Sequence, residues 1–319
     1  ENKKGENVYD GDAKINRFII SGIYIINQRC RFFVEGSSSV AKSLRIPSMI
    51  VGLTIVAMGT SLPELAVSVT ASLAGNNALA VSNVIGSNIF NLMLVCGACA
   101  LFAPLIVQKN TLKKEIPLSV VCVVLLLVLG LFGMEIGRTD GVILLILFIG
   151  FLVWMVKSAL KAHAESANLE ESDNEYKIYP AWVCVIYIVG GAVAIKFGGD
   201  FVVDGASAVA MKAGLSQNLV GLTIVAMGTS LPEFVTSVVA ARKNEVDMAV
   251  GNAIGSNIFN ILMVLGIASA ISPLQLIGEN VIDIIVLVVF SVVVWIFGDN
   301  EKRDFQNRRN CNDLHVSLL

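Results

Sequence analysis

The stretch VGLTIVAMGTSLPE occupies residues 51–64 and recurs without change at residues 220–233. The similarity extends further, because residues 51–97 align without a gap to residues 220–266 at an offset of 169, with 29 of 47 positions identical. Each copy continues, after a variable stretch, into a second shared motif, IGSNIFN. Self-similarity of this length at a single offset indicates a duplicated structural unit.

The composition around the repeats is that of a membrane protein. Of 319 residues, 55% are hydrophobic and 15% are charged, whereas soluble domains carry about 25% charged residues. The apolar runs between the charged clusters reach the roughly 20 residues that a spanning helix needs, which predicts a multi-pass helical protein in a lipid bilayer. A net charge of −2 without a basic patch argues against nucleic acid, and no pattern indicates a cofactor or a protein partner.

Charge and hydropathy divide the chain into two membrane halves with hydrophilic ends. We expect an N-terminal tail, a first half with one repeat, an acidic connection, a second half with the other repeat, and a C-terminal tail. The predicted boundaries are 1–17, 18–157 with the repeat at 51–97, 158–179, 180–298 with the repeat at 220–266, and 299–319. Lysine and arginine are enriched in the short loops on the side of the connection, which predicts that residues 158–179 are cytoplasmic.

The two repeats are predicted to face opposite ways across the bilayer. Of nine apolar runs, the second holds the first copy of the motif and the seventh holds the other, so the copies are five spans apart, which is an odd number. Duplicated halves of inverted orientation with matching helix breakers are typical of secondary transporters. The expected fold class is an all-α polytopic membrane protein with two inverted-topology repeats of about five transmembrane helices each.

Each copy of GTSLPE places a proline and a carboxylate inside an apolar run. Pro63 and Pro232 interrupt helical hydrogen bonding and release carbonyl groups that need partners in the bilayer. Glu64 and Glu233 each cost roughly 2.5–3.5 kcal/mol to insert at mid-membrane. One copy alone fits a plain proline kink with a protonated structural glutamate, whereas the repetition and the neighbouring hydroxyl groups favour an ion site.

Helical spacing brings further oxygen atoms to each carboxylate. Thr60 and Ser61 lie four and three residues before Glu64 and share its face of the helix. The second copy repeats this arrangement with Thr229 and Ser230. The run after each motif carries a polar stripe at four-residue spacing, which fits either a contact between helices or the second wall of a cavity. The members of the stripe are Asn83, Ser87 and Asn91 in one repeat and Asn252, Ser256 and Asn260 in the other.

Carboxylate, hydroxyl, amide and backbone oxygens are hard ligands, suited to Ca²⁺, Mg²⁺ or alkali ions. Two negative charges match one divalent cation, but several Na⁺ ions or protons can neutralise them instead. One ion must then leave before the other can bind, which gives a chemical basis for exchange at a shared site.

The paired GTSLPE and GSNIFN motifs resemble the alpha repeats of the calcium/cation antiporter superfamily, especially the prokaryotic Na⁺/Ca²⁺ exchangers. The resemblance implies ten helices in two inverted halves, with Glu64 and Glu233 as central Ca²⁺ ligands. It also implies backbone carbonyls of Ala57 and Ala226 as Na⁺ ligands. Further Ca²⁺ and Na⁺ ligands implied in this way are Thr60, Ser61, Thr229, Ser230, Ser87, Asn91, Ser256 and Asn260. K⁺-dependent relatives carry an aspartate at the position of Asn260, so the resemblance does not imply K⁺ transport.

The two ends depart from the family pattern. Arg29 and Arg31 stand where the second half has Gly198 and Asp200, and the apolar run before them is short for a span. The chain turns hydrophilic after Phe297, so the tenth helix of the family has no apolar run here. We expect an atypical first helix, a missing tenth helix, and ends altered relative to the family.

The sequence thus predicts a cation antiporter, not an enzyme, that exports Ca²⁺ against inward Na⁺ by alternating access. The expected location is the plasma membrane, which is the inner membrane in a bacterium. Alternatives are a divalent cation/H⁺ antiporter, a cation channel lined by the repeats, an enzyme with a serine nucleophile at 61 or 230, and a chain inactivated by its altered ends. No histidine or lysine base accompanies either serine in sequence, which disfavours the enzyme.

Overall fold

The computed structural model describes residues 2–102, 111–166, 178–215, 224 and 226–296. This part of the chain is helical apart from one short two-stranded ribbon. The helices are α1 (Asn2–Ser43), α2 (Ser48–Thr60), α3 (Leu62–Leu73), α4 (Asn77–Phe102), α5 (Lys113–Leu131), α6 (Arg138–Ser166), α7 (Ala181–Lys212), α8 (Ala226–Thr229), α9 (Leu231–Arg242), α10 (Val246–Ile271) and α11 (Gly278–Ile296), and the strands are β1 (Glu135–Ile136) and β2 (Leu274–Gln275).

Six of these helices, namely α4, α5, α6, α7, α10 and α11, are long and apolar enough to cross a membrane. The pair α2–α3, bent by 46° at its break, makes a seventh span if it is taken as one. The predicted run at 217–241 is described only in part, through α8 and α9, and the C-terminal tail at 299–319 lies outside the described residues. The all-α multi-pass fold class is confirmed.

Two predicted boundaries need correction. Residues 2–17, expected as a hydrophilic tail, belong to the same continuous helix as the apolar run that follows, because backbone hydrogen bonding within a helix does not require apolar side chains. α6 likewise continues through residues 158–166, expected as loop, where alanine, leucine and lysine favour a helix. Residues 167–177 of the predicted connection lie outside the described part of the chain.

α1 packs antiparallel along α7 through close glycine contacts. A Cβ added to Gly22 would lie 2.7 Å from the carbonyl oxygen of Gly198, and one added to Gly191 would lie 2.7 Å from the Cβ of Phe33. α1 is not among the six apolar spans. Its buried residues Cys30, Phe33 and Val34 and these glycine contacts hold it against its neighbours.

The connections at one end of the molecule are tied together by polar contacts. Lys243 Nζ, in the α9–α10 connection, lies 2.5 Å from Glu35 Oε1 of α1. His163 Nδ1, near the end of α6, lies 2.6 Å from the carbonyl oxygen of Leu44 in the α1–α2 connection. At the opposite end, β1 and β2 pair antiparallel and join the α5–α6 connection to the α10–α11 connection.

α4 and α10 run antiparallel through the centre of the molecule. α10 begins beside Lys243 and leads into β2 at the ribbon end. α4 begins near the ribbon end, where Asn280 Nδ2 of α11 donates to Ser82 Oγ at 2.9 Å, and it runs the other way. Corresponding helices of the two repeats are therefore inverted, as the offset of five spans between the two copies predicts.

α10 is buried on all sides and packs closely against α2. A Cβ at Gly251 would lie 2.7 Å from the carbonyl oxygen of Met49, and one at Gly255 would lie 2.8 Å from the carbonyl oxygen of Leu53. Only glycine allows two backbones to approach so closely at these positions. This contact brings the shared motif of one repeat against the shared motif of the other.

Candidate cation site

Each GTSLPE motif forms a break between two helices near the middle of the fold. The first break lies at Ser61 (φ −85°, ψ 7°), between α2 and α3, and the second at Ser230 (φ −92°, ψ 3°), between α8 and α9. Pro63 and Pro232 stand in the first turn of the helix that follows, where the missing N–H costs nothing. The break thus precedes the proline instead of kinking the helix around it.

The break also places each glutamate in the first turn of a helix. Glu64 opens α3 and Glu233 opens α9, and both side chains are fully buried. The N-terminal end of a helix carries a partial positive charge, which stabilises a carboxylate there. Two such ends from inverted repeats meet at the centre of the molecule, and they offset part of the cost of burying two acids.

The serine at each break hydrogen-bonds to the carboxylate of the other repeat. Ser61 Oγ donates to Glu233 Oε1 at 3.0 Å, and Ser230 Oγ donates to Glu64 Oε1 at 3.0 Å. Neither serine caps its own helix with its side chain, although N-cap serines usually do so. These reciprocal bonds bring the two carboxylates into one cluster.

The polar stripes of α4 and α10 form the facing walls of this cluster. Ser87 Oγ donates to Glu64 Oε1 at 3.4 Å and lies 2.9 Å from Ser230 Oγ. In the other repeat, Ser256 Oγ donates to Glu233 Oε1 at 3.5 Å. Each carboxylate therefore receives a hydroxyl group from both repeats.

Two further asparagines support the backbone of the glutamates and the threonines of the opposite repeat. Asn252 Nδ2 donates to the carbonyl oxygen of Glu233 at 3.3 Å, while its Oδ1 accepts from Thr60 Oγ1 at 3.1 Å. Asn83 repeats this arrangement with the carbonyl oxygen of Glu64 at 3.4 Å and with Thr229 Oγ1 at 3.5 Å. The helix break and the polar stripe are thereby linked in each repeat.

Where α4 crosses α10, four buried asparagines form a reciprocal cluster. Asn88 Nδ2 and Asn257 Nδ2 each donate to the other residue's backbone carbonyl, at 3.2 and 3.3 Å. Asn91 Nδ2 donates to Asn257 Oδ1 at 3.1 Å, and Asn260 Nδ2 donates to Asn88 Oδ1 at 3.0 Å. Asn88 and Asn257 thus occupy equivalent positions in the two repeats, 169 residues apart, and so do Asn91 and Asn260.

Four buried oxygen atoms of this cluster have no hydrogen-bond partner among the residues that the structure describes. They are Glu64 Oε2, Glu233 Oε2, Asn91 Oδ1 and Asn260 Oδ1. A buried acceptor without a partner costs about 1–3 kcal/mol, and more when it is charged. Two symmetric pairs of such acceptors, with no cationic side chain of the described residues bonded to them, have the chemistry of a site for a hard cation.

A sequence-family comparison agrees with this geometry. The family model described as sodium/calcium exchanger protein matches residues 17–157 and 183–303. The chain belongs to the sodium/calcium exchanger family. It is a multi-pass integral membrane protein of the cation-antiporter class and not an enzyme, which confirms the family resemblance seen in the motifs.

Proteins that are similar to most of this chain occur in bacteria and archaea. The candidate antiporter CaxA of Alkalimonas amylolytica is 43% identical over 257 residues, covering 80% of each chain. Inner membrane protein YrbG of Escherichia coli is 35% identical over 87% of each chain. Sodium/calcium exchanger MaX1 of Methanosarcina acetivorans is 28% identical over 88% of this chain and 89% of its own.

Solved structures of a sodium/calcium exchanger share the fold. The exchanger NCX_Mj soaked with 10 mM Na⁺ and zero Ca²⁺ superposes with a TM-score of 0.79 at 33% identity, covering 90% of this chain and 92% of its own. The same exchanger soaked with 2.5 mM Na⁺ and 10 mM Sr²⁺ gives a TM-score of 0.78. The likeness therefore extends over both halves of the fold.

The exchanger fold brings most of the sequence-predicted site residues together. Glu64, Glu233 and the serines and asparagines named with them are buried around the cluster, while Thr229 is half-buried. The carbonyl oxygen of Ala57 accepts from the Ser61 N–H at 3.0 Å and from Thr60 Oγ1 at 3.3 Å. The backbone of Ala226 is helical, and its side chain lies outside the described atoms.

The sequence interpretation missed Asn88 and Asn257. Both lie off the four-residue stripe, so helical spacing alone did not select them. Ser68 and Ser237, which accept from the Nδ2 groups of the stripe asparagines at 3.0 and 2.9 Å, were missed as well. The repeated GSNIFN motif held a signal for the two asparagines, because both recur at the 169-residue offset.

Proposed function

We propose that this exchanger exports Ca²⁺ in exchange for Na⁺, at the site formed by the two glutamates and their hydroxyl and amide neighbours. The observation that carries the proposal is the set of four buried, unpartnered oxygens on Glu64, Glu233, Asn91 and Asn260. The proposed ligands also include Thr60, Ser61, Thr229, Ser230, Ser87 and Ser256, with the backbone carbonyls of Ala57 and Ala226.

The donor set supports Ca²⁺ as one substrate. All candidate ligands are oxygens, which Ca²⁺ prefers, and two carboxylates balance one divalent charge. Ca²⁺ takes six to eight oxygen ligands in flexible geometry, and the hydroxyl, amide and backbone groups around the carboxylates can supply them. The names of the relative MaX1 and of NCX_Mj, both sodium/calcium exchangers, are consistent with this substrate.

The neutral part of the donor set favours Na⁺ over H⁺ as the counter-ion. A proton needs only one carboxylate oxygen, whereas an alkali ion needs several oxygens around it. Asn91 and Asn260 each present an amide oxygen that a proton would leave without a partner. Na⁺ bound in place of Ca²⁺ can use the same two amide oxygens, whereas protons on the carboxylates would leave them unpartnered, so their arrangement supports Na⁺.

Burial of the site supports alternating access over a continuous pore. Glu64 and Glu233 are both 0% exposed, so an ion can leave only after the helices around the site rearrange. A conducting channel needs weak, rapidly released binding along an open path. Inverted halves allow the same site to open to either side by equivalent movements.

We propose the plasma membrane, the inner membrane in a bacterium, as the location, with the 158–179 connection in the cytoplasm. The similarity to inner membrane protein YrbG supports the membrane. The contacts of His163 with Leu44 and of Lys243 with Glu35 place the α1–α2 and α9–α10 connections at the same end as residues 158–166. Lysine and arginine are enriched in the short loops at that end, which the positive-inside rule assigns to the cytoplasm.

The test is ⁴⁵Ca²⁺ uptake into vesicles that contain the purified exchanger and are preloaded with Na⁺. We expect uptake that requires the outward Na⁺ gradient and persists when a pH gradient is abolished. Uptake driven by a pH gradient alone would identify a Ca²⁺/H⁺ antiporter. Uptake that continues with neither gradient would identify a channel, and no uptake under any of these conditions would contradict the proposed transport.

A further inference from the structure

Two asparagines outside the proposed ligand set hold the two amide ligands. Asn257 Oδ1 accepts from Asn91 Nδ2, and Asn88 Oδ1 accepts from Asn260 Nδ2. All four residues are fully buried. We call Asn257 and Asn88 the holders of the proposed ligands Asn91 and Asn260. Each holder belongs to the repeat opposite to that of its ligand, so neither repeat orients the ligand amide that it carries.

The planar geometry of an amide turns this contact into an orientation. The oxygen and nitrogen of a side-chain amide lie on opposite branches of one plane, so fixing the Nδ2 group also fixes the direction of Oδ1. Asn91 Oδ1 and Asn260 Oδ1 are the branches left without partners. If Asn257 did not hold the Nδ2 group, the Asn91 amide could rotate and turn its nitrogen toward the cation.

The holders are themselves fixed across the interface between the repeats. The Nδ2 group of Asn88 is bound to the backbone carbonyl of Asn257, and the Nδ2 group of Asn257 to that of Asn88. Each holder can therefore present only its Oδ1 to the ligand amide. The direction of every amide in the cluster follows from two bonds to backbone oxygens.

We infer that Asn88 and Asn257 are positioning residues that orient the amide oxygens of Asn260 and Asn91 toward the cation. The inference rests on the proposed function, since it requires those two oxygens to be ligands. Because each bond joins α4 to α10, separation of these two helices withdraws both amide oxygens from their fixed directions together.

The first test is the affinity of the purified exchanger for Ca²⁺, measured by equilibrium ⁴⁵Ca²⁺ binding without Na⁺. We expect Asn88→Ala and Asn257→Ala each to weaken binding about ten- to hundred-fold, as loss of a residue that orients a metal ligand does. Ser72→Ala is the control, because the buried Ser72 hydroxyl donates to the Ala268 carbonyl across the two halves at 2.8 Å, outside the site. Its affinity should stay within about two-fold of the unchanged protein.

A double-mutant cycle separates positioning from general loss of structure. Asn257→Ala should have little further effect when Asn91 is already alanine, because the group that it orients is gone. The same change should keep its full effect when Asn260 is alanine. Equal effects in both backgrounds, or single variants that bind as the Ser72→Ala control does, would overturn the inference.

Asn257→Leu serves if the alanine variants do not fold, because leucine fills the space of the asparagine side chain but offers no acceptor for Asn91 Nδ2. We expect a folded Asn257→Leu protein to bind Ca²⁺ about ten-fold or more weakly. Affinity equal to that of the Ser72→Ala control would contradict the inference. Absence of Ca²⁺ binding in the unchanged protein would instead contradict the proposed function.

Discussion

Ser61 and Ser230 occupy positions where a serine usually caps the helix that follows. Their hydroxyl groups instead donate to Glu233 and Glu64, residues of the opposite repeat, at 3.0 Å. The first turns of α3 and α9 therefore lack a side-chain capping bond from these serines, and each serine instead bonds to a carboxylate. Hydrogen bonds to charged groups are stronger than those between neutral groups. The carboxylates are thereby fixed by residues far away in sequence.

Removal of either serine hydroxyl should weaken Ca²⁺ binding. We expect Ser61→Ala and Ser230→Ala to raise the KM for Ca²⁺ in Na⁺-loaded vesicles about ten- to hundred-fold, since a hydrogen bond to a charged group is worth about 1.5–3 kcal/mol. The larger effect should come from Ser230, whose hydroxyl also contacts Ser87.

The control for the serine variants is Ser291→Ala. The Ser291 hydroxyl is buried but donates to the Leu287 carbonyl within α11, at 2.7 Å, so its loss should leave the KM unchanged. A KM in the Ser61 and Ser230 variants equal to that of this control would count against the cross-repeat role of the serines.

Neutralising either central carboxylate should abolish exchange. In Glu64→Gln and Glu233→Gln the amide keeps the size of the side chain but removes one of the two charges that balance Ca²⁺. We expect Na⁺-dependent ⁴⁵Ca²⁺ uptake to fall by at least about a hundred-fold. Glu279→Gln, at an exposed glutamate at the start of α11, should transport normally. Substantial uptake by both site variants would remove these residues from the site.

At the scale of elements, contact between α2 and α10 brings the two shared motifs together. The contact depends on glycines that let the backbones approach, with the Gly251 position 2.7 Å from the Met49 carbonyl oxygen if a Cβ is added. The break between α2 and α3 then places Glu64 beyond this contact. The position of Glu64 therefore depends on helix packing at least one turn away from the site.

Gly251→Ala should destabilise the protein. The added methyl group would overlap backbone atoms, and overpacking of this kind costs typically 1–3 kcal/mol. We expect a lower midpoint of thermal unfolding for the protein purified in detergent. Gly150→Ala, in α6 where the described structure leaves space around the Cβ position, should be neutral or slightly stabilising. Equal midpoints for the two variants would show that the α2–α10 contact tolerates a side chain.

At the scale of the whole molecule, the two ends differ in chemistry. One end carries the Glu35–Lys243 ion pair and the contact of His163 with Leu44. The other is closed by the β1–β2 ribbon, near which Arg138 donates to the Ile271 carbonyl at 3.4 Å. The proposed sidedness makes the first end cytoplasmic.

Labelling of introduced cysteines should show this sidedness. Lys161→Cys lies near the end of α6 and Glu279→Cys near the ribbon, and both positions are exposed. In intact cells, a membrane-impermeant maleimide should label the cysteine at 279 directly and the cysteine at 161 only after permeabilisation. The reverse pattern would place residues 158–179 outside. The unchanged protein, with its native cysteines, gives the background.

The class of the molecule could be read from the sequence because each signal is local or repeats at a fixed offset. Apolar runs of spanning length predicted the helices, and the offset of five spans, an odd number, between the two copies predicted the inversion. Helical spacing grouped Thr60, Ser61 and Glu64, since residues three and four apart share a helix face. The proline indicated a break, although the structure begins the new helix one residue before it.

Tertiary structure decided which groups meet across the repeats. The partners Ser61 and Glu233 are 172 residues apart, and Asn91 and Asn257 are 166 apart, so no local spacing relates them. Asn88 and Asn257 stand off the polar stripe and became visible only where α4 crosses α10. The sequence by itself determined which oxygen-bearing side chains each half contributes, because these residues lie at helical spacing within single helices. The crossing of the helices determined which of those oxygens are satisfied and which four have no hydrogen-bond partner among the described residues.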